Sequence, residues 1–131
     1  MRASDGTLYR LNATDLSLSS YFGPNGADCK FKMMANGKCV LENNVGTLYL
    51  FNSDLSYTSQ YTTVGEVVNQ IMAQPDGDVL VARESDGVLY ELSGTDLSIK
   101  HYNTMGAGTK FAVRPNDGGV WAMNIASTIY K

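Results

Sequence analysis

Few residues in this chain are of a type that does chemistry. The single histidine, His101, could serve as a general acid or base, but only beside a second polar group that the fold places against its ring. It precedes Tyr102 on an expected outermost strand, where an edge or surface role is the simpler reading. Cys29 and Cys39 are the only cysteines. A zinc site draws four ligands, mostly Cys and His, and these are too few. A disulfide needs converging Cβ atoms. A hairpin turn centred on Asn36-Gly37 sets Cys39 opposite Met34 and Cys29 on the other face, so two buried free thiols are expected. Asp15, Asp54 and Asp96 each sit in an Asp-Leu-Ser triplet. A calcium loop crowds several oxygen ligands into one segment, whereas one Asp per turn suits an Asx-turn. Phosphate-cradling glycine loops and a serine nucleophile elbow are missing from the sequence. No catalytic residue, metal or cofactor is assigned, and a non-enzymatic protein is expected.

What must position any site is a repeat. Gly6-Thr7-Leu8-Tyr9 returns as Gly46-Thr47-Leu48-Tyr49, as Gly87-Val88-Leu89-Tyr90 and as Ser127-Thr128-Ile129-Tyr130, at intervals of 40, 41 and 40 residues. The Asp-Leu-Ser triplets keep phase with it, as do Tyr21, Tyr61 and Tyr102 and the turns Asn36-Gly37, Asp76-Gly77 and Asp117-Gly118. Between these marks lie short runs of β-branched, aromatic and apolar residues, the mark of strands. Where both faces of a run are apolar, as in Leu48-Tyr49-Leu50-Phe51, the strand is buried on both sides. Glu66 to Gln74 dissents, since Val67, Val68, Ile71 and Met72 stand at helical spacing. The matching segments of the other repeats lack that spacing, so a strand is expected there too. Four short strands in about 40 residues make one β-propeller blade.

The fold class expected is therefore all-β, a single β-propeller repeat domain over residues 1–131 with repeats starting near 6, 46, 87 and 127. The strand before each Gly turn is innermost and the one after it second. The Gly-x-Leu-Tyr strand is third and the Tyr-bearing strand outermost. Two full blades fall near 28–63 and 67–104. Residues 6–23 give the outer half of an incomplete blade, and about 110–124 with 128–130 give two inner strands and the start of a third. Some three blades cannot close a ring, which takes four to eight. Either a homodimer completes a six-bladed ring, or the chain belongs to a longer polypeptide. In the homodimer the last inner strands of one copy pair with residues 6–23 of the other, where residues 127–131 compete for one position.

Pro75-Asp76-Gly77-Asp78-Val79-Leu80-Val81-Ala82, followed by Asp86-Gly87-Val88-Leu89-Tyr90-Glu91-Leu92, resembles NHL-type and quinoprotein-like propeller repeats. Pro115-Asn116-Asp117-Gly118-Gly119-Val120-Trp121 is a variant of the same turn and strand. The resemblance implies the fold, and its members range over ligand binding, protein interaction, lyases and oxidoreductases, so fold alone names no activity. Propeller ligands usually sit over the axial face. The loops there single out Asn43, Asn44, Glu84, Ser85, Asp86 and Asn124 as candidate binding residues. Three functions follow: a binding or assembly module presenting a rigid face to a protein partner, a lectin-like glycan binder, or a fragment of a propeller enzyme such as a lyase or quinone-dependent dehydrogenase. Tyr9, Tyr49 and Tyr90 are expected to fill the spaces between blades. A net charge of −3 without a basic run argues against nucleic acid as a partner. No run approaches the roughly 18 apolar residues of a membrane span, and Met1 to Gly6 carries no apolar leader. Composition leaves the compartment open.

Overall fold

A computed structural model describes residues 4–23, 25–83, 85–123 and 129–130. Among them there are strands and turns and no helix. Two complete four-stranded antiparallel sheets form the middle of the chain. Blade I holds β3 (Lys30–Met33), β4 (Cys39–Glu42), β5 (Thr47–Phe51) and β6 (Tyr57–Thr63), in that spatial order. Blade II repeats it with β7 (Gln70–Ala73), β8 (Val79–Arg83), β9 (Val88–Leu92) and β10 (Ile99–Thr104). A leading half-blade of β1 (Leu8–Leu11) and β2 (Leu18–Phe22) precedes them. A trailing sheet of β11 (Lys110–Val113), β12 (Val120–Met123) and β13 (Ile129–Tyr130) follows. The three Gly-x-Leu-Tyr segments thus lie in three separate sheets, as the third strand of blades I and II and as the first of the two half-blade strands. β3 lies against β7 and β7 against β11, as innermost strands converging on an axis do. The segment with helical spacing is β7 from Gln70 onward, preceded by a bend at 65–66.

Register repeats as faithfully as sequence. Tyr9 faces Tyr21, Tyr49 faces Tyr61 and Tyr90 faces Tyr102 across the third and fourth strands. Each of these pairings carries one irregularity of the bulge type, at Arg10/Leu11, Tyr49/Phe51 and Ile99/His101. β13 joins β12 in the register that β5 and β9 use, Ala122 with Tyr130 and Met123 with Ile129.

The Gly turns depart from expectation. Gly37, Gly77 and Gly118 have positive φ, but Asn36, Asp76 and Asp117 do not. The loop is therefore longer than a two-residue type I′ turn, which needs positive φ twice. At the first turn the Met34 N–H donates to Lys38 O and the Gly37 N–H to Met34 O, closing a three-residue loop. Cys39 consequently faces Met33 and not Met34. Both cysteines are free and buried. Burial pushes the Cys39 thiol up to about 11, and burial likewise raises Cys29.

The repeat glycine has a packing reason. A Cβ at Gly46 would stand 2.1 Å from Glu66 O, at Gly87 1.7 Å from Gly106 O and at Gly6 2.2 Å from Gly26 O. The connector leaving each blade crosses directly over the start of that blade's third strand, and only glycine leaves room. The Asp-Leu-Ser turn also works by geometry. Asp15, Asp54 and Asp96 each accept the N–H and the hydroxyl of the Ser two residues on. Those bonds hold all three carboxyls below the usual aspartate range. The leucine between is forced left-handed, with φ of 59°, 66° and 60° at Leu16, Leu55 and Leu97. A left-handed non-glycine residue costs about 1–2 kcal/mol. At Leu97 the cost is offset, because the side chain is 1% exposed and packs with Met34, Val40 and Leu50 of blade I.

Blades I and II are apolar on both faces because each is covered on both sides. Val40, Leu48 and Leu50 of blade I meet Val79, Val81 and Leu92 of blade II. The other face of blade I, with Cys39, Leu41 and Phe51, meets Leu8 and Phe22 of the half-blade. Ala82 and Leu89 of blade II meet Phe111, Val120 and Ala122. Tyr49 and Tyr90 pack against these layers as expected, while Tyr9 is 37% exposed. Polar links reinforce the stack. The Gln70 side chain donates to Phe111 O and accepts from the Phe111 N–H. Glu42, fully buried, accepts from the Gly46 N–H at 3.2 Å and the Val68 N–H at 3.3 Å, tying blade I to the strand entering blade II.

Two stability measurements check this packing. Leu97→Ala is expected to lose about 3 kcal/mol in urea unfolding, as a buried leucine truncation does, with Leu55→Ala losing less. Burial raises the Glu42 carboxyl, opposed by the Val68 and Gly46 N–H groups and Lys30. Since its folded pKa exceeds the unfolded one, its favourable contribution is full below the ordinary glutamate value and is lost as pH rises through the folded value. The stability of wild type relative to Glu42→Gln is therefore expected to fall with rising pH across that window, and a flat difference would contradict it.

Candidate functional site

One end of the blades is built from four segments: the β4–β5 turn, the β6–β7 connector, the β8–β9 turn and the β10–β11 connector. They enclose an open cleft of about 710 Å³ lined by Asn44, Val45, Gly65, Glu66, Val67, Asn69, Ser85 and Gly108. Two of the residues expected from sequence, Asn44 and Ser85, are brought together here. The Ser85 hydroxyl donates to Glu66 Oε2 across the cleft, joining the two loops. Val45 and Val67 are 62% and 42% exposed and give the cleft an apolar element among its polar groups.

Asn43 and Asp86 do other work. Asn43 Oδ1 accepts the Thr47 N–H at 2.9 Å and the Val45 N–H at 3.3 Å. Asp86 Oδ1 accepts the Val88 N–H at 3.2 Å, and its carboxylate pairs with Arg83. Asp5 accepts the Thr7 N–H in the same way at 3.0 Å. All three hold the turn that feeds the third strand. Burial works against ionisation at Asp86, but the Arg83 bond and the Val88 N–H outweigh it and hold the carboxyl below its ordinary value. Arg83 also donates to Val64 O of the neighbouring connector and lies over the Tyr90 ring at 5.4 Å. Glu84 and Asn124 lie outside the described residues.

Glu66 and Asn69 are cleft residues that the sequence reading passed over. They were absorbed into the apparent strand or helix over 66–74. The available signal was Gly65, whose turn places 66–69 outside the regular strand.

His101 lies on β10, where the sequence places it. Its Nδ1 stands 2.9 Å from Glu91 Oε2 and its side chain is 77% exposed. Nearby, ligand oxygens of Asp76, Asp78 and Glu91 lie within 4.8 Å of one another. Asp78 is already committed, to Lys100 and to the Gly94 N–H at 3.0 Å. Burial opposes ionisation of Asp78, yet these two partners hold it below its ordinary value. The Asp78–Lys100 ion pair ties the turn before β8 to β10.

No protein-family model matches the chain, and no curated protein does. Among solved structures it is similar to the dihydro-heme d1 dehydrogenase NirN in complex with DHE, a propeller enzyme. The TM-score is 0.71 and the identity 16%, over 92% of this chain and 28% of that one. At such identity the likeness speaks for the fold alone, and it agrees with the sheet order and register: the chain is an all-β propeller segment.

Proposed function

We propose that the chain is a non-enzymatic binding module that presents its axial cleft to a polar partner. The observation that carries this reading is the convergence of Asn44, Glu66, Asn69 and Ser85 on one cleft from three separate loops. Amides both donate and accept, hydroxyls do the same, and a carboxylate accepts strongly. Such a set suits a ligand rich in hydroxyl groups, with Val45 and Val67 against its carbon skeleton. A glycan has that chemistry, as does a Ser/Thr-rich loop of a protein partner. A second reading, a segment of a propeller enzyme, draws support from the solved neighbour being an enzyme.

A glycan array followed by backbone-amide NMR titration with the best hit separates these readings. Shifts confined to residues 44–45, 65–69 and 85 are expected. Glu66→Gln should weaken binding by about tenfold or more, the worth of one hydrogen bond to a charged group. An array without hits, together with a bound chromophore or metal in the purified chain, would favour the enzyme segment instead.

A further inference from the structure

Blade packing inside the chain covers most of both faces of blades I and II, and four surfaces toward its two ends lack that cover. The first is on the leading half-blade. Leu11 and Leu16 are 49% and 70% exposed, whereas their equivalents in blade II, Leu92 and Leu97, are 0% and 1% exposed. Leu16 is held at φ 59° like Leu97, so the half-blade carries the strain of the turn without the burial that offsets it. The second is the inner strand of blade I. Phe31 is 42% exposed, while Phe111 at the same place in the trailing sheet is 5% exposed beneath blade II. The third is the far face of the trailing sheet, where Trp121 and Met123 are exposed and the matching Leu80 and Ala82 are buried. The fourth is a groove of about 270 Å³ on the outer half of blade II, lined in part by Gln74, Leu89, Glu91 and Asn103. Gln74 is buried there, and its Oε1 has no hydrogen-bond partner.

These surfaces belong to two partial sheets whose strand positions complement one another. The leading half-blade supplies third and fourth strands without a first and second. The trailing sheet supplies a first and second strand, and of a third the described residues are Ile129 and Tyr130. We propose that β12 of one copy pairs with β1 of a second copy, reciprocally, closing two chains into a six-bladed ring. The second copy's β1 takes the position beside β12 at which the described residues Ile129 and Tyr130 pair. In the register that β4–β5 and β8–β9 share, Met123, Ala122, Trp121 and Val120 then face Leu8, Tyr9, Arg10 and Leu11 of the second copy. The same step lays Leu11 and Leu16 of the second copy over the groove at Gln74 and Leu89. It sets the Trp121 face against Phe31 of the second copy. One pairing thus covers all four surfaces and gives β1, which pairs with β2 alone among the described strands, a strand on its other side, as a sheet edge favours. Six blades lie within the range that closes.

Sedimentation equilibrium of the full chain across the micromolar range tests this, with hydrogen exchange read at β1. The expected result is a dimer with no larger species, and protection of the Leu8–Leu11 amides that fades on dilution. Leu16→Asp, on an exposed turn, should weaken association by about a hundredfold, since it replaces a buried leucine by a charge. Trp121→Asp should do the same, and Thr14→Asp beside Leu16 should not. A monomer at every concentration overturns the proposal and assigns these surfaces to flanking blades of a longer polypeptide. A mass that climbs without limit overturns it in favour of open stacking. A dimer indifferent to both Leu16→Asp and Trp121→Asp overturns it in favour of another interface.

Discussion

Everything in this molecule follows from sheets that are apolar on both sides. A four-stranded antiparallel sheet with one wet face can stand alone against a single partner layer. Blade I cannot. Val40, Leu48 and Leu50 line one face, Cys39, Leu41 and Phe51 the other, and all six are fully or almost fully buried. Such a sheet is stable only as a middle layer, so each blade demands a neighbour on each side. The demand propagates along the chain and turns a repeat of about 40 residues into a stack around an axis.

Much of that was legible in the sequence, because the repeat encodes it directly. The Gly-x-Leu-Tyr strand is third in blades I and II and pairs with the next strand in the half-blade as it does there, and the tyrosines are register partners in all three. What could not be read is geometry that depends on backbone not yet placed. Asn-Gly and Asp-Gly fit a two-residue turn and a three-residue turn equally well as dipeptides. The choice fell to the longer loop, and the pairing slid from Met34 to Met33 opposite Cys39. The left-handed leucines were hidden for a similar reason. Leucine is a poor residue for positive φ, and nothing local announces it. It is imposed by the Asp carboxylate, which captures the Ser two residues on, and is tolerated at Leu97 because the side chain lands in the apolar layer between blades.

The candidate site was half legible. Asn44 and Ser85 were found by the rule that ligands lie at the axial loops, but the same rule swept in Asn43 and Asp86, whose side-chain oxygens are used by the turn into the third strand. A polar residue in a tight turn and a polar residue facing solvent look alike in a sequence. They separate only when the backbone N–H groups that need a partner are known, and an Asn or Asp two to four residues before a strand is a frequent supplier.

Departures from the repeat point to function more directly than the repeat does. Positions that a propeller needs are alike in every blade: the third-strand glycine, the Asp-Leu-Ser turn, the facing tyrosines. Around the cleft that likeness fails. Glu42 sits where blade II has Ala82 and the trailing sheet has Met123, and it is a fully buried acid whose Oε2 finds no hydrogen-bond partner, with the Lys30 ammonium 3.7 Å away. Between the equivalent ladder pairs Ala82–Leu89 of blade II and Glu42–Leu48 of blade I, blade II has six residues to five, and this longer stretch holds the bonds of Ser85 to Glu66 and Asp86 to Arg83. A buried acid costs stability unless it is paired or bonded, and Glu42 is bonded only at Oε1, to the two N–H groups that lock the β4–β5 turn and the β6–β7 connector together. Those are the segments that bring Asn44, Glu66 and Asn69 to the cleft. The carboxylate therefore joins the β4–β5 turn to the β6–β7 connector at the cost of a buried acid.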